Sequence, residues 1–413
     1  TRVRSSAASD VYKRQLHNPL TGWVLYASMG VDAADFWAQY DHMYIPELGH
    51  NVSVTDYAHT LYIRASWTDF NPQEDVYGWK IDSNLRAYIE GAYQRNMRLA
   101  FRVVVDSRDK RTEFTPQFVK DAGAKGFMNK GKWSPYSDDP IFQKYYTKFV
   151  KTLAKDFNDP SKVEFIDGFG LGKWGEYHTM IYSTGDDTPK KAVFDWVTDI
   201  YSQAFDKVPV VINYHRWIGA GKDWVDDEHF AADSEEMLEE AIKKGYSLRH
   251  DAFGMTTYYG SWERRFAKKY RNICPIIMEG GWIVKSHSYW QDPRGYRKDS
   301  HEDVRRGEFD DSKEAHVNMM DFRFGDTESW FKDAFSLVRR FLREGGYRLY
   351  PSEISLPLEV SKKTTPTIKH CWNNLGWGYC PTNIPQWNQK YKVAFALLDS
   401  ETNEVRYTFV DTN

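Results

Sequence analysis

The sequence contains only three cysteines among its 413 residues. Cys274 lies inside an apolar stretch, where a thiol packs as a small hydrophobic side chain. Cys371 and Cys380 flank a segment that contains two tryptophans. An exported protein could join them in a disulfide, but we expect both thiols to be free. No spacing of cysteine and histidine matches a zinc site, so we expect neither a metal ion nor another cofactor.

Long apolar runs and an excess of charge of one sign are also absent. No apolar segment reaches the ~18 residues that a membrane-spanning helix needs. The net charge is −3 at pH 7, which provides no electrostatic attraction for nucleic acid or for an anionic membrane surface. We therefore expect no nucleic-acid partner and no membrane span. The oligomeric state is left open.

Several motifs of other enzyme classes are missing. There is no Gly-x-Ser-x-Gly elbow of a serine hydrolase and no glycine-rich phosphate loop of the Walker type. The glycine-rich stretch at 168–173 follows an apolar segment but lacks the spacing of a dinucleotide-binding fingerprint. These absences argue against nucleophilic serine chemistry and against nucleotide binding.

Aromatic residues, in contrast, are abundant. They make up 16% of the chain, including 16 tryptophans and 27 tyrosines. Flat aromatic faces stack on the apolar faces of sugar rings, but the core of a large barrel is also rich in aromatic side chains. Composition alone leaves both interpretations open.

Residues 1–15 need a separate interpretation. The stretch from Ser5 to Gln15 resembles the in-frame translation of a sequencing adapter. We interpret residues 1–15 as an assembly artefact, expect them to be disordered, and exclude them from the fold. They would stand in place of a signal peptide, if the gene encodes one, so a periplasmic or secreted location is a hypothesis.

The remaining chain alternates short apolar strands with amphipathic helices, a pattern typical of a parallel sheet. The predicted strands span residues 22–27, 60–67, 98–106, 163–170, 209–215, 248–255, 275–279 and 319–324. The predicted helices span residues 81–95, 140–157, 191–205, 234–244, 262–271, 312–318 and 327–345. Eight such units predict an α/β fold, a (β/α)8 barrel over residues 16–346.

The pattern changes after Gly346. Residues 347–357, 392–399 and 404–411 alternate apolar and polar side chains with a period of two, which predicts antiparallel strands. We expect a small β-sandwich module over residues 347–413, incomplete at its C-terminus because a sandwich usually has about seven strands. The charged and aromatic stretch 283–309 follows the seventh strand, and we predict that it forms a loop over the barrel mouth.

Two glutamates stand where predicted strands run out. Glu176 follows the fourth strand through a glycine-rich connection, and Glu279 ends the seventh strand just before Gly280 and Gly281. Catalytic residues of barrel enzymes come from the C-terminal ends of the strands. Two carboxylates that face each other there could cleave a glycosidic bond if one carries a proton while the other is ionised. Glu176 could instead lie at a helix N-terminus, where the helix dipole favours a negative charge, and Glu279 could form a structural ion pair.

The segment after the second strand adds a resemblance to a known family. Trp67, Pro72, Tyr77 and Trp79 match the W-x-x-x-x-P-x-x-G-x-Y-x-W segment of family 42 β-galactosidases and their clan A relatives, with Asp75 in place of the usual glycine. The resemblance is one of architecture and motif placement over residues ~18–345. The whole chain is most similar to uncharacterised bacterial barrel proteins that carry a β-sandwich tail.

The resemblance implies roles for the two glutamates. In such enzymes the acid/base follows strand four and the nucleophile follows strand seven, which would make Glu176 the acid/base and Glu279 the nucleophile of a retaining hydrolase. Clan A enzymes carry an asparagine directly before the acid/base, whereas this chain has Gly175. We expect Asn213 or His215 to supply the missing contact with the sugar.

Other polar and aromatic residues near the strand ends are candidates for contacts with a carbohydrate. They are Trp67, Arg102, Asp106, Trp174, His178, Asn213, His215, Arg216, Asp251, Tyr258, Tyr259, Trp282 and Trp290. Each could equally be a satisfied core residue or part of a buried ion pair. The sequence thus predicts a glycoside hydrolase, and its alternative is a carbohydrate-binding barrel without turnover, which the glycine at position 175 favours.

Overall fold

A computed structural model of the protein describes residues 18–413 except 109, 111, 222–227, 254–257, 282–300, 324, 358, 360, 362, 364, 390 and 413. The predicted artefact at 1–15 lies outside these residues. In chain order the strands are β1 (Gly22–Tyr26), β2 (Met43–Ile45), β3 (His50–Val52), β4 (Ala58–Ser66), β5 (Arg98–Val104), β6 (Gly126–Asn129), β7 (Lys132–Pro135), β8 (Val163–Asp167), β9 (Val210–Asn213), β10 (Ser247–Phe253), β11 (Ile276–Gly280), β12 (Met319–Asp321), β13 (Leu349–Ser355), β14 (Lys369–Asn374), β15 (Ala394–Leu398) and β16 (Val405–Val410).

Eight of these strands form a closed parallel barrel, in the spatial order β1-β12-β11-β10-β9-β8-β5-β4. They are the eight strands that the sequence predicts, so the predicted barrel is confirmed. The remaining strands form two-stranded antiparallel sheets, β2 with β3, β6 with β7, β13 with β14, and β15 with β16.

Helices surround the barrel. They are α1 (Ala33–Asp41), α2 (Trp67–Phe70), α3 (Gly78–Ile81), α4 (Ser83–Gln94), α5 (Gln117–Asp121), α6 (Pro140–Phe157), α7 (Lys190–Ala204), α8 (Glu228–Lys243), α9 (Ser261–Tyr270), α10 (His301–Glu314), α11 (Thr327–Asp333) and α12 (Phe335–Glu344). Among the residues that the structure describes, no helix is both long enough and apolar enough to cross a membrane.

Helix α6 shows how local sequence sets an element and its buried face. Asp139 caps its N-terminus by accepting from the backbone N–H groups of Ile141 and Phe142, and Pro140 occupies the first turn, where a missing N–H is tolerated. Its apolar residues recur every three or four positions. The buried ones are Phe142, Tyr146, Phe149, Val150, Leu153, Ala154 and Phe157.

The helix predicted at 312–318 and the end of the loop predicted at 283–309 are wrong for one physical reason. Residues 312–318 are not a separate helix, because α10 ends at Glu314 and β12 begins at Met319. Helix α10 also replaces the end of the predicted loop at 283–309; residues 283–300 lie outside the described part of the chain. The buried face of α10 includes Arg305, Glu308 and Asp311, all fully buried. Hydrophobic periodicity cannot detect a helix that buries charged side chains.

The helix predicted at 327–345 is broken in two. Ala334 leaves the helical region, with φ −143° and ψ 33°, between α11 and α12. Helix α1 was not predicted from the sequence at all.

The C-terminal region closes the N-terminal end of the barrel. Trp387 and Ile384 join the apolar cluster inside the barrel that includes Val24 and Phe165, and Asn318 donates to the carbonyl of Tyr379. Residues beyond 346 therefore contribute to the barrel core. The strands β13 to β16 form two hairpins rather than a recognisable sandwich, and both Cys371 and Cys380 are free thiols, as expected.

The barrel interior changes from apolar to charged along its axis. One cluster fills the interior with apolar side chains, namely those of Val24, Tyr26, Tyr62, Ala100, Phe165, Val211, Ile277 and Met319. Because inward positions alternate along a strand, the next inward positions towards the C-terminal ends are two residues further on. Those positions are polar, and they carry Arg64, Arg102, Asp167, Asn213, Glu279 and Asp321.

Candidate active site at the C-terminal end of the barrel

Both predicted catalytic glutamates lie at the charged end of the barrel. Glu279 is in β11, in register with Asp321 of β12. Glu176 follows β8 through a short 3-10 turn at Lys173–Gly175. The two residues are 4% and 7% exposed respectively, so each carboxyl group is largely removed from water.

The segment that carries Glu176 has an unusual backbone. Trp174, Tyr177 and Thr179 have positive φ angles of 60°, 61° and 52°, and Gly175 has φ +75°. Non-glycine residues rarely adopt this conformation, and such strain is concentrated at functional sites.

The same geometry explains why glycine occupies position 175. A Cβ atom there would lie 3.3 Å from both Cδ of Arg102 and Cγ2 of Val104. The buried arginine therefore takes the space that the asparagine of clan A enzymes would need.

The carboxylate of Glu176 is surrounded by donors. Its Oε1 lies 3.5 Å from Arg64 and 3.7 Å from Arg102. Its Oε2 accepts from the hydroxyl of Tyr258 at 3.4 Å and lies 3.5 Å from Nε2 of His178. Two guanidinium groups and a hydroxyl group therefore lie around this carboxyl group.

Glu279 belongs to a more acidic network. Its Oε2 accepts from Arg249 at 2.9 Å, but the same guanidinium also binds Asp321 at 2.6 Å and Asp251 at 2.9 Å. A second arginine, Arg323, lies 3.8 Å from its Oε1. Glu279, Asp251 and Asp321 thus share one fully buried arginine, and Asp167 lies 3.6 Å from it.

The pKa values follow from this arrangement. Burial, and then the charges of Asp251 and Asp321, raise the pKa of Glu279 to about 8. Burial alone would raise the pKa of Asp251 too, but Arg102 and Arg249 hold it well below its ordinary value. Burial raises the pKa of Asp321. The shared arginine therefore does not offset the effect of burial on Glu279.

The two glutamates are connected through buried ion pairs. Arg102 contacts Glu176 and binds Asp251 at 2.6 Å, and Asp251 binds Arg249, which in turn binds Glu279. Arg102 and Arg249 are both fully buried. An ionic network of this kind at a barrel mouth fixes the two carboxyl groups relative to each other.

His215 holds the backbone of Glu176. Its Nδ1 accepts from the N–H of Trp217 at 3.1 Å, so the proton is on Nε2, which donates to the carbonyl oxygen of Glu176 at 2.7 Å. Burial, and then the neighbouring His178, lower the pKa of His215 well below its ordinary value. Both ring nitrogens are occupied by backbone groups, so the predicted contact of His215 with a sugar does not fit the structure.

Replacing His215 by phenylalanine is expected to lower both stability and turnover. The change keeps an aromatic ring but removes both backbone hydrogen bonds, and each buried group left unsatisfied costs about 1–3 kcal/mol. His215→Gln can still donate to the Glu176 carbonyl and should retain more activity. Urea unfolding and kcat measure the two effects, and equal kcat values for wild type and His215→Phe would show that the ring does not position Glu176.

Four further predicted residues lie around the pair. Arg102 and Asp251 form part of the ionic network. Asn213 donates to Asp251 and to the hydroxyl oxygen of Tyr258, both at 3.4 Å. Trp174 is half-buried beside His178, with ring centroids 5.6 Å apart, and its carbonyl accepts from Arg64 at 2.6 Å. Together with Tyr258 and His178, these residues form one polar site.

Two other predicted residues are aromatic and lie buried in the core. Trp67 is fully buried against Phe142 and Tyr146 of α6, so its indole has no surface for a sugar ring. Tyr259 is buried against His250 and Phe253. The predicted substrate contacts of these two aromatic residues do not fit their burial.

Asp106 and Arg216 are engaged in separate ion pairs. Asp106 accepts from the backbone and the side chain of Arg108 at 2.8 Å, and Arg216 binds Glu263 of α9 at 3.0 Å. Their contact with a substrate stays a prediction. Trp282 and Trp290 lie outside the described residues.

The sequence pattern did not lead us to four residues of the charged layer, which are Arg64, Asp167, Arg249 and Asp321. Asp167 binds Arg102 and accepts from the hydroxyl of Tyr62 at 3.1 Å. A signal for three of them was present, because Arg64, Asp167 and Asp321 follow the inward apolar residue of their strand by two positions.

No metal-binding cluster appears in the described part of the chain, where no group of three or more His, Cys, Asp and Glu side chains could hold an ion.

Comparison with known proteins identifies distant structural neighbours. No protein-family model matches the sequence, and no curated protein sequence matches it. An exo-β-1,4-mannosidase from Opitutaceae bacterium strain TAV5 aligns with a TM-score of 0.43 and 14% identity over 79% of this chain, which spans 56% of the mannosidase.

Two more solved structures align at a similar level. Endo-glycoceramidase II from Rhodococcus sp. gives a TM-score of 0.43 and 12% identity over 81% of each chain. A structure described as a glycoside hydrolase gives a TM-score of 0.43 and 14% identity over 79% of this chain and 99% of its own. These neighbours are glycoside hydrolases, but at this distance a functional assignment rests on the site of the chain itself.

Proposed function

We propose that the protein is a glycoside hydrolase that cleaves a glycosidic bond in an oligosaccharide or polysaccharide, with Glu176 and Glu279 as its catalytic pair. The observation that carries the proposal is the placement of two buried carboxyl groups at the C-terminal end of the barrel, where Arg102, Asp251 and Arg249 link them. Glycosidic cleavage requires one ionised and one protonated carboxyl group.

The retaining, double-displacement reaction is part of this proposal. What supports it is the resemblance of the two strand positions to those of the retaining family named above. We also propose a relation to family 42, a periplasmic or secreted location, and a β-sandwich of which β13 to β16 form a part. In support of the last, His370 of β14 binds Asp411 at 3.0 Å and packs on Phe395 of β15.

The alternative is a barrel that binds carbohydrate without turnover. The glycine at position 175 favours it, since the amide donor found in clan A enzymes is absent and His215 does not replace it. The two proposals differ in one measurement. Wild-type protein is incubated with a panel of aryl glycosides, and the anomeric configuration of the first sugar product is followed by NMR. A product of retained configuration supports the hydrolase, an inverted product excludes double displacement, and binding without any product supports the alternative.

A further inference from the structure

We propose that Glu308 of helix α10 is a positioning residue, which holds Glu279 in place for the reaction at the C-terminal end of β11. This inference rests on the proposed hydrolase function and leaves the roles of the two catalytic glutamates unchanged. It assigns a function to a charged side chain that lies on a helix, outside the charged layer of the barrel interior.

Glu308 contacts the backbone directly beyond Glu279. Its Oε1 accepts from the backbone N–H of Gly281 at 2.8 Å. A Cβ atom at Gly280 would lie 3.2 Å from Oε1 and 3.3 Å from Oε2 of Glu308. Glycine permits such a close approach to the backbone, so the two glycines that follow Glu279 in the sequence let a carboxyl group lie against the end of the strand.

A chain of ion pairs leads from the other oxygen of Glu308 to the carboxyl group of Glu279. Oε2 of Glu308 binds Arg305 at 2.8 Å, and Arg305 lies 3.3 Å from Oδ2 of Asp326. The same oxygen of Asp326 lies 3.8 Å from Arg323, whose Nε lies 3.8 Å from Oε1 of Glu279. Glu308 is thus connected to Glu279 through the backbone and also through side chains.

Arg305 has a fixed position in this chain of ion pairs. Its guanidinium donates to the hydroxyl oxygen of Ser329 from two nitrogens, at 3.1 and 2.6 Å, and its central carbon lies 5.0 Å from the ring centroid of Trp330. Both Arg305 and Glu308 are fully buried. A planar guanidinium with partners in several directions holds a carboxylate in one orientation, so Arg305 orients the carboxyl group of Glu308.

Stability alone gives no reason for these buried charges. Replacing a buried ion pair by apolar side chains of similar volume is often neutral or stabilising. Asp311 provides a comparison on the same helix, because it is also fully buried. Its ion pair with Arg264 of α9, at 2.8 Å, includes none of the residues that lead to Glu279.

The expected effect of losing Glu308 is a loss of turnover rather than of binding. A catalytic group that is misplaced by about 1 Å can cost roughly 10²-fold in rate. Without the carboxyl group of Glu308, the N–H of Gly281 and the guanidinium of Arg305 lose a partner, and the end of β11 is less firmly held. The residues of the polar site on the other strands keep their contacts, so KM should change little.

The test compares Glu308→Met with Asp311→Leu on the aryl glycoside that the wild type hydrolyses fastest. Each variant removes one buried carboxyl group from α10 and replaces it by an apolar side chain of similar size. We expect Glu308→Met alone to lower kcat, by roughly 10- to 100-fold, with KM within about twofold of the wild-type value. Glu308→Gln keeps an oxygen that can accept from the N–H of Gly281, and it should retain more kcat than Glu308→Met. Melting curves confirm that each variant is folded at the assay temperature.

A wild-type kcat in Glu308→Met, or a loss confined to KM, would overturn the proposal. An equal loss of kcat in Asp311→Leu would overturn it too, because a general weakening of α10 would then explain both results. If Glu308→Met does not fold, Glu308→Gln decides: a kcat at least about threefold below that of the wild type, with KM unchanged, supports the positioning role, and a wild-type kcat overturns it. Failure of both variants to fold would assign Glu308 a structural role instead. Absence of hydrolysis by the wild type would remove the proposed function, and the positioning role with it.

Discussion

Glu176→Gln is expected to reduce kcat on aryl glycosides by roughly 10²- to 10⁴-fold, because an amide can neither protonate the leaving oxygen nor accept a proton from water. The fold should survive, since the glutamine side chain is nearly the same size and Arg102 retains Asp167 and Asp251 as partners. Initial rates and the melting temperature measure the two effects. Glu90→Gln, a change at an exposed glutamate of α4, is the matched control and should leave both unchanged.

A variant that keeps more than about a tenth of the wild-type rate would remove Glu176 from the reaction, since that loss is smaller than the roughly 10²-fold or greater loss expected for a general acid/base. The search would then move to the other inward carboxyl groups of the charged layer. A rate loss accompanied by a large drop in melting temperature would point to structural damage, which the melting curve detects independently of activity.

Arg249→Met is expected to lower the free energy of unfolding by about 3–5 kcal/mol at pH 7, because it leaves three buried carboxyl groups without their shared cation. These groups are Asp251, Asp321 and Glu279. Methionine preserves most of the side-chain volume, so the loss reports charge rather than a cavity. Arg86→Met is the control, since its exposed pair with Glu90 is worth at most about 0.5 kcal/mol.

The loss should depend on pH with a definite sign. Burial already raises the pKa values of Glu279 and Asp321 in the folded state, and without the guanidinium they rise further above those of the unfolded chain. Their unfavourable contribution is then present above the unfolded pKa, near 4, and fades as the pH falls and the folded state takes up protons. Urea unfolding of both proteins at pH 7 and at pH 5 should give a smaller difference at pH 5. A loss below about 1 kcal/mol at pH 7 would show that the network is not an energetic unit.

The barrel was predictable because its strands are short, apolar and separated by amphipathic helices. All eight positions follow from that alternation, and Glu279, which the sequence picks out, is the second-last residue of β11. Helix α10 was not predictable in the same way, because it buries Arg305, Glu308 and Asp311. Its pattern of charges resembles that of an exposed loop unless the partners of those charges are known.

The site was predictable in part. Glu176 and Glu279 were singled out by their positions after strands, and Arg102 by its alternation with apolar neighbours. Arg249 and Asp321 were missed, although the environment of Glu279 depends on them. The alternation of residues along a strand shows which charged side chains point into the barrel. It does not show how deeply Glu279 is buried or how many carboxyl groups surround it, and both raise the pKa of Glu279.

Local backbone geometry accounts for the rest. We predicted that Trp67 and His215 contact a carbohydrate because each lies near a strand end, where a side chain can reach the barrel mouth. Trp67 instead turns into the core in α2, and His215 turns both ring nitrogens to backbone groups. The residues with positive φ angles around Glu176 determine which side chains contact it. The hydrophobic periodicity of the sequence does not reveal positive φ angles.

We propose that the carboxyl groups of Glu176 and Glu279 cleave glycosidic bonds. The decisive experiment compares wild type with the double variant Glu176→Gln/Glu279→Gln. Release of reducing sugar is measured on a panel of polysaccharides, together with binding of the same polymers. The account predicts release by the wild type, release no greater than background by the double variant, and similar binding by both. Equal release by both proteins, or binding by both with no release, would contradict it.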